Sequence, residues 1–132
     1  MMRLLLGFLL LNLTLPALAH HSFAVHFDAD RMIEIQGVVT RFHFANPHGV
    51  IFLTVTGENG SETLWRGETN SPNLLKRRGW TADSIKPGQA ITISGWPARE
   101  GEPMLRVAAV TFADGSKLAG QGSSGMPEAD TD

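Results

Sequence analysis

The chain has 132 residues, of which 42% are hydrophobic, a formal net charge of −2 and no cysteine. So balanced a charge leaves no electrostatic footprint for nucleic acid, and that partner class is set aside. The lack of thiols excludes disulfides, cysteine nucleophiles and thiolate metal sites, which leaves histidine, carboxylate and methionine as the available metal ligands.

The N-terminus carries the three zones of a secretory signal: Arg3, an apolar run from Leu4 to Leu15 broken by Gly7, Asn12 and Thr14, and then Pro16-Ala17-Leu18-Ala19. Ala17 and Ala19 stand where signal peptidase reads small side chains, so residues 1–19 are expected to be a signal peptide and His20 the mature start. The apolar run is shorter than the roughly 20 residues a helix needs to cross a bilayer, so no transmembrane anchor is expected. The expected compartment is the periplasm. Cleavage leaves 113 of the 132 residues, enough for one domain with a modest core, and removes Arg3, so that the net charge becomes −3.

Met32 to Phe44 is rich in β-branched and aromatic residues and reads as the first strand, with Gly37 at an expected bend or bulge. Asn46-Pro47-His48-Gly49 is turn chemistry, because Pro47 fixes its own φ and pushes Asn46 out of the helical region. Val50 to Thr56 follows as a second strand with Ile51, Leu53 and Val55 on one face, and Gly57-Glu58-Asn59-Gly60 turns it into a third, Glu62 to Glu68. A helix is predicted over Ser71 to Arg78, from an N-cap serine, a proline at the first helical position and Gly79 as a left-handed stop. Leu74 and Leu75 would form its apolar face, with Trp80 folding back on Leu75. Lys86-Pro87-Gly88 is a turn into a fourth strand, with Ile91, Ile93 and Gly95 inward and an end near Trp96-Pro97. A fifth strand spans Met104 to Phe112, closed by Ala113-Asp114-Gly115. Ile51, Leu53, Ile91 and Ile93 are expected to be buried together, so the domain is bounded at residues 20–118. Residues 119–132 lack apolar periodicity and are expected to form a disordered Gly, Ser and acidic tail, with truncation after Leu118 costing almost nothing.

Three strands, one short helix and two more strands give the β-β-β-α-β-β order of an all-β, OB-like five-stranded barrel. The alternative is a small β-sandwich, which more often shows about seven strands and no helix at its centre.

His20-His21-Ser22-Phe23, Phe27-Asp28, Gly37-Val38-Val39, Asn46-Pro47-His48, Arg78-Gly79-Trp80 and Ser84-Ile85-Lys86-Pro87-Gly88 carry a resemblance. Together they resemble a family of small exported bacterial proteins, the domain of unknown function 6152 family. The resemblance runs from His20 to about Lys117 and implies export and one compact β domain, without implying an activity.

All five histidines lie between His20 and His48. His43 alternates with Phe42 and Phe44, which puts it on the solvent face of its strand, and His26 falls in a stretch with no clear element. His20, His21 and His48 are the candidate metal ligands, because copper(II) and zinc accept imidazole and a terminal amine adds a nitrogen. The plainer reading is that His48 hydrogen-bonds to backbone in its turn while the leading pair is merely exposed. Asn46, Pro47, His48 and Trp65 are candidates for ligand binding, since OB barrels often bind on the face of strands two and three. Lys76-Arg77-Arg78 reads first as a helix-end cluster and second as an anion patch. Asp28, Asp30 and Glu34 lack an oriented base, and no catalytic motif is present. These residues point to a non-enzymatic exported binding or accessory module, whose partner is a small ligand or a periplasmic protein. The alternatives are a periplasmic copper or zinc protein and an enzyme of unrecognised type.

Overall fold

The structure, a computed structural model, describes residues 23–120. A one-turn helix, α1 (Phe23–His26), precedes strands β1 (Ile33–His43), β2 (Val50–Thr56) and β3 (Glu62–Glu68). Helix α2 (Pro72–Lys76), β4 (Ala90–Pro97), β5 (Met104–Phe112) and a short β6 (Lys117–Ala119) complete the chain. β1 pairs antiparallel with both β2 and β4, β2 with β3, and β4 with β5. A parallel pairing of β3 with β5 then closes five strands into a mixed barrel in the OB order. That closure removes the sandwich alternative, whose two sheets would keep free edges.

Period-two alternation puts Ile51, Leu53, Ile91 and Ile93 inside the barrel, where they join Leu105 and Val107 in one buried cluster. Leu75, Trp80 and Ile85 belong to the same cluster, so the helix and the loop after it fill the core from outside the strands.

The helix is shorter than expected, and Leu74 is exposed, so that only Leu75 of the pair is buried. Gly79 at φ +84° ends it, with the Trp80 amide donating to the Leu75 carbonyl at 3.1 Å, the six-to-one bond of a left-handed cap. Ser71 precedes the helix in an extended conformation, but its side chain makes no capping bond.

The bulge expected at Gly37 lies instead between Val39 and Arg41, where Thr40 is the extra residue and its hydroxyl donates to the Phe52 carbonyl at 3.2 Å. Gly37 serves close approach: a Cβ there would stand 2.5 Å from the Thr54 carbonyl oxygen, at the point where β1 exchanges β4 for β2.

Strand pairing continues past Leu118, to Ala119. β6 pairs with β5, and the Ala119 carbonyl accepts from the Trp80 indole at 2.9 Å. The Gly120 amide donates to the Ala108 carbonyl at 2.8 Å, and Gly120 itself is buried. Residues 1–22 and 121–132, and with them the expected signal peptide and most of the expected tail, lie outside the described residues.

Candidate functional site

Five register positions form a belt around the outside of the barrel. Trp96 of β4 pairs with Arg106 of β5, Arg106 with Glu68 of β3, Glu68 with Val50 of β2, and Val50 with His43 of β1. Leu105 and Val107 point inward, so Arg106 between them points outward, and Glu68 does the same beside buried Gly67. The belt therefore brings a carboxylate and a guanidinium together at the seam that closes the barrel.

His48 reaches this seam because its loop is clamped to the end of β3. The Gly49 carbonyl accepts from both the Thr69 amide at 2.8 Å and the Thr69 hydroxyl at 2.9 Å, and the Gly49 amide donates to the Asn70 carbonyl at 3.1 Å. A Cβ on Gly49 would stand 2.5 Å from the Thr69 hydroxyl, so this clamp requires glycine. The Asn46–Pro47 peptide bond in the same loop is cis.

His48 Nδ1 donates to Glu68 Oε1 at 2.5 Å, and Arg106 Nη1 donates to the same oxygen at 2.9 Å. Arg106 Nη2 donates to Asn70 Oδ1 at 2.5 Å, and the Asn70 amide nitrogen donates to the Gly120 carbonyl at 2.9 Å. Arg78 Nη1 donates to that carbonyl too, at 2.5 Å, so the C-terminal end of the described chain is tied into the network. Exposure rises along the row: the side chain is 12% exposed in Arg106, 26% in Glu68 and 44% in His48. Burial pulls the Arg106 guanidinium below its ordinary value, while the charge and hydrogen bond of Glu68 oppose the shift and neighbouring Arg78 adds to it.

This arrangement has a chemical consequence for the imidazole. An ionised carboxylate only accepts, so Glu68 fixes the proton of neutral His48 on Nδ1 and leaves the Nε2 lone pair as the available base or metal ligand.

The remaining sequence candidates fall elsewhere. Asn46 and Pro47 are exposed beside His48. Trp65 faces Leu53 across the β2–β3 ladder and packs half-buried against the core; the outer face there carries Phe52, Leu64 and Arg66 instead. His20 and His21 lie outside the described residues. His43 is exposed, as its alternation implied, and His26 is exposed at the end of α1. Among the described residues no group of three or more histidines or carboxylates could hold a metal ion. In the cationic cluster, Arg78 is committed to Gly120 while Lys76 and Arg77 are exposed. Asp28 accepts the Asp30 amide in a local turn at 3.2 Å. The sequence reading missed Glu68, Asn70 and Arg106, the three residues that hold His48 in place.

The family of unknown function DUF6152 matches residues 9–105. The chain belongs to this family. His48, Glu68 and Asn70 lie within the DUF6152 match, and Arg106 stands one residue beyond its end. No curated protein matches the chain. Among the described residues no helix is long and apolar enough to cross a membrane.

Proposed function

We propose that this DUF6152 protein is an exported, non-enzymatic binding module whose contact group is the His48 imidazole. The observation that carries the reading is the pose of His48: Nδ1 is held by a carboxylate that Arg106 holds in turn, while the ring stays 44% exposed on the outer belt. A base that serves catalysis gains from a water-excluding site, whereas an oriented imidazole open to solvent suits capture of an incoming ligand. The export half of the reading rests on the Ala17 and Ala19 pattern. The partner is a small ligand or a periplasmic protein that meets Nε2.

Nitrogen-15 NMR of the mature protein, titrated with zinc(II), acetate and phosphate as probes, tests the binding half. Shifts concentrated at Gly49, Glu68, Asn70 and Arg106 and lost in His48→Ala are the expected result for at least one probe. Shifts that arise elsewhere, or persist in His48→Ala, contradict it. Intact mass of periplasmic material tests export, with a chain starting at His20 expected and an uncleaved chain against it.

A further inference from the structure

We propose that the cavity beside the end of α2 binds an arene carboxylate, with the Phe44 ring against the arene and the Lys76 ammonium and Thr81 hydroxyl on the carboxylate. This site shares no residue with the His48 seam and goes beyond the reading of His48 as a contact group.

The cavity lies where the chain leaving β1 meets the chain leaving α2. Its volume is about 450 Å³, and Phe44, Lys76, Gly79, Trp80, Thr81 and Ala82 line it. That size falls within the range of small-molecule sites, about 300–1,000 Å³.

Packing prepares the apolar side. The ring centroid of Phe44 lies 5.5 Å from that of Phe42, which in turn lies 6.0 Å from that of Trp80. Phe44 is half-buried, so Phe42 holds the ring while part of it stays open. Trp80 is buried and backs the cavity from the core, and its indole N–H already donates to the Ala119 carbonyl at 2.9 Å. A further ring added to such a row gains from tilted or edge-on contact, beyond the apolar area it buries.

The polar side offers a positive charge and a proton. Lys76 is the one charged residue of the lining, and among the described residues it forms no ion pair. The helix-end carbonyls do not occupy it either. The Leu75 carbonyl accepts from the Arg78 and Trp80 amides at 2.8 and 3.1 Å, and the Lys76 carbonyl accepts from the Gly79 amide at 3.1 Å. The Thr81 hydroxyl accepts from the Asp83 amide at 3.2 Å, while its contact with the Ser84 hydroxyl, at 3.4 Å, is longer than an ordinary O–H···O bond. Its proton is therefore available to an incoming acceptor. A cation and a hydroxyl donor beside an aromatic wall complement one carboxylate on a ring. A phosphate would ask for a second cation, but Arg78 donates to the Gly120 carbonyl and Arg77 lies outside the lining. The cationic run thus divides by role, with Arg78 tying down the end of the described chain and Lys76 facing the cavity.

The test follows the amide signals of the mature protein by nitrogen-15 NMR during titration with 2-naphthoate, 2-naphthylmethylamine, decanoate and acetate. 2-Naphthoate is expected to move Phe44, Lys76, Gly79, Thr81 and Ala82 and to bind more tightly than the other three. Lys76→Gln, at an exposed position, should weaken it about two- to fivefold, the range of an exposed ion pair, and Arg77→Gln should leave it unchanged. His48→Ala should also leave it unchanged, because the two sites are separate. Equal affinity for the amine means an apolar crevice without charge selection, and equal affinity for decanoate means no preference for a ring; either overturns the proposal. No shift at these residues with 2-naphthoate, or parental affinity in Lys76→Gln, overturns it as well. None of these outcomes touches the reading of His48, whose own probes report at Gly49, Glu68, Asn70 and Arg106.

Discussion

Glu68→Ala should cost far more than its position at the barrel surface suggests. The carboxylate accepts from His48 and from Arg106, and Arg106 is 12% exposed, with its Nε lacking any hydrogen-bond partner among the described residues. Removing Glu68 leaves a largely buried guanidinium without its carboxylate partner, with Asn70 as a neutral acceptor, His48 Nδ1 3.5 Å from its Nη1 and a second cation, Arg78, nearby. Breaking a fully buried pair costs about 3–5 kcal/mol, and losing an exposed one about 0.2–1 kcal/mol. With Glu68 26% exposed, the expected loss lies between these limits, at about 2–3 kcal/mol. For a domain of this size that lowers Tm by about 10–20 °C. Urea unfolding with an unchanged slope measures it, and a cycle with Arg106→Met isolates the pair, since the double variant no longer buries an unpaired cation. A cost under about 0.5 kcal/mol for Glu68→Ala, or simple additivity of the two substitutions, would contradict a coupled Glu68–Arg106 pair.

Ile93 is fully buried in the barrel core, so Ile93→Ala should cost about 2–5 kcal/mol in chemical denaturation, and a near-neutral result would mean that the core lies elsewhere. A chain ending at Leu118 should melt well below one ending at Gly120, because it loses the acceptors of Trp80 Nε1, Asn70 Nδ2 and Arg78 Nη1, each worth about 0.5–1.5 kcal/mol; equal melting would show that these bonds do not form. Hydrogen bonds from the Ser116 hydroxyl and amide hold the Asp114 carboxyl below the usual carboxylate range. Its contribution to stability is therefore present above the ordinary carboxylate value and is lost as pH falls through the lower folded one. An NMR titration should find that lower midpoint, and Ser116→Ala should raise it towards the ordinary range.

What the sequence made legible was local. The bounds of β2, β3 and β5 follow from alternation between strong turn signals, and inward Ile51, Leu53, Ile91 and Ile93 follow from the same period. The helix was overestimated because its end signals were sound but its apolar face was not: Gly79 stops the chain as expected, yet only Leu75 is drawn into the core. β6 has one large apolar residue, Leu118, and no periodicity of its own; it is held by pairing with β5 and by the indole of Trp80, 39 residues away from Ala119. Trp65 illustrates parity, since the hairpin register sets it opposite inward Leu53 and therefore off the outer face. His48 was legible because Pro47 and Gly49 mark a turn. Its supporting residues were not, because Glu68 and Arg106 are 38 residues apart and meet only through the parallel closure of β3 on β5, which no local pattern announces.

Long-range proton–nitrogen NMR of the imidazoles, followed to a pH at which the rings are seen to be neutral, reports which nitrogen of His48 carries the proton. Glu68 as acceptor predicts the Nδ1–H form, with Nε2 unprotonated and a signal that moves in Glu68→Ala. A predominant Nε2–H form, or a ring signal that ignores the loss of Glu68, would contradict the claim that this seam holds His48 ready to bind.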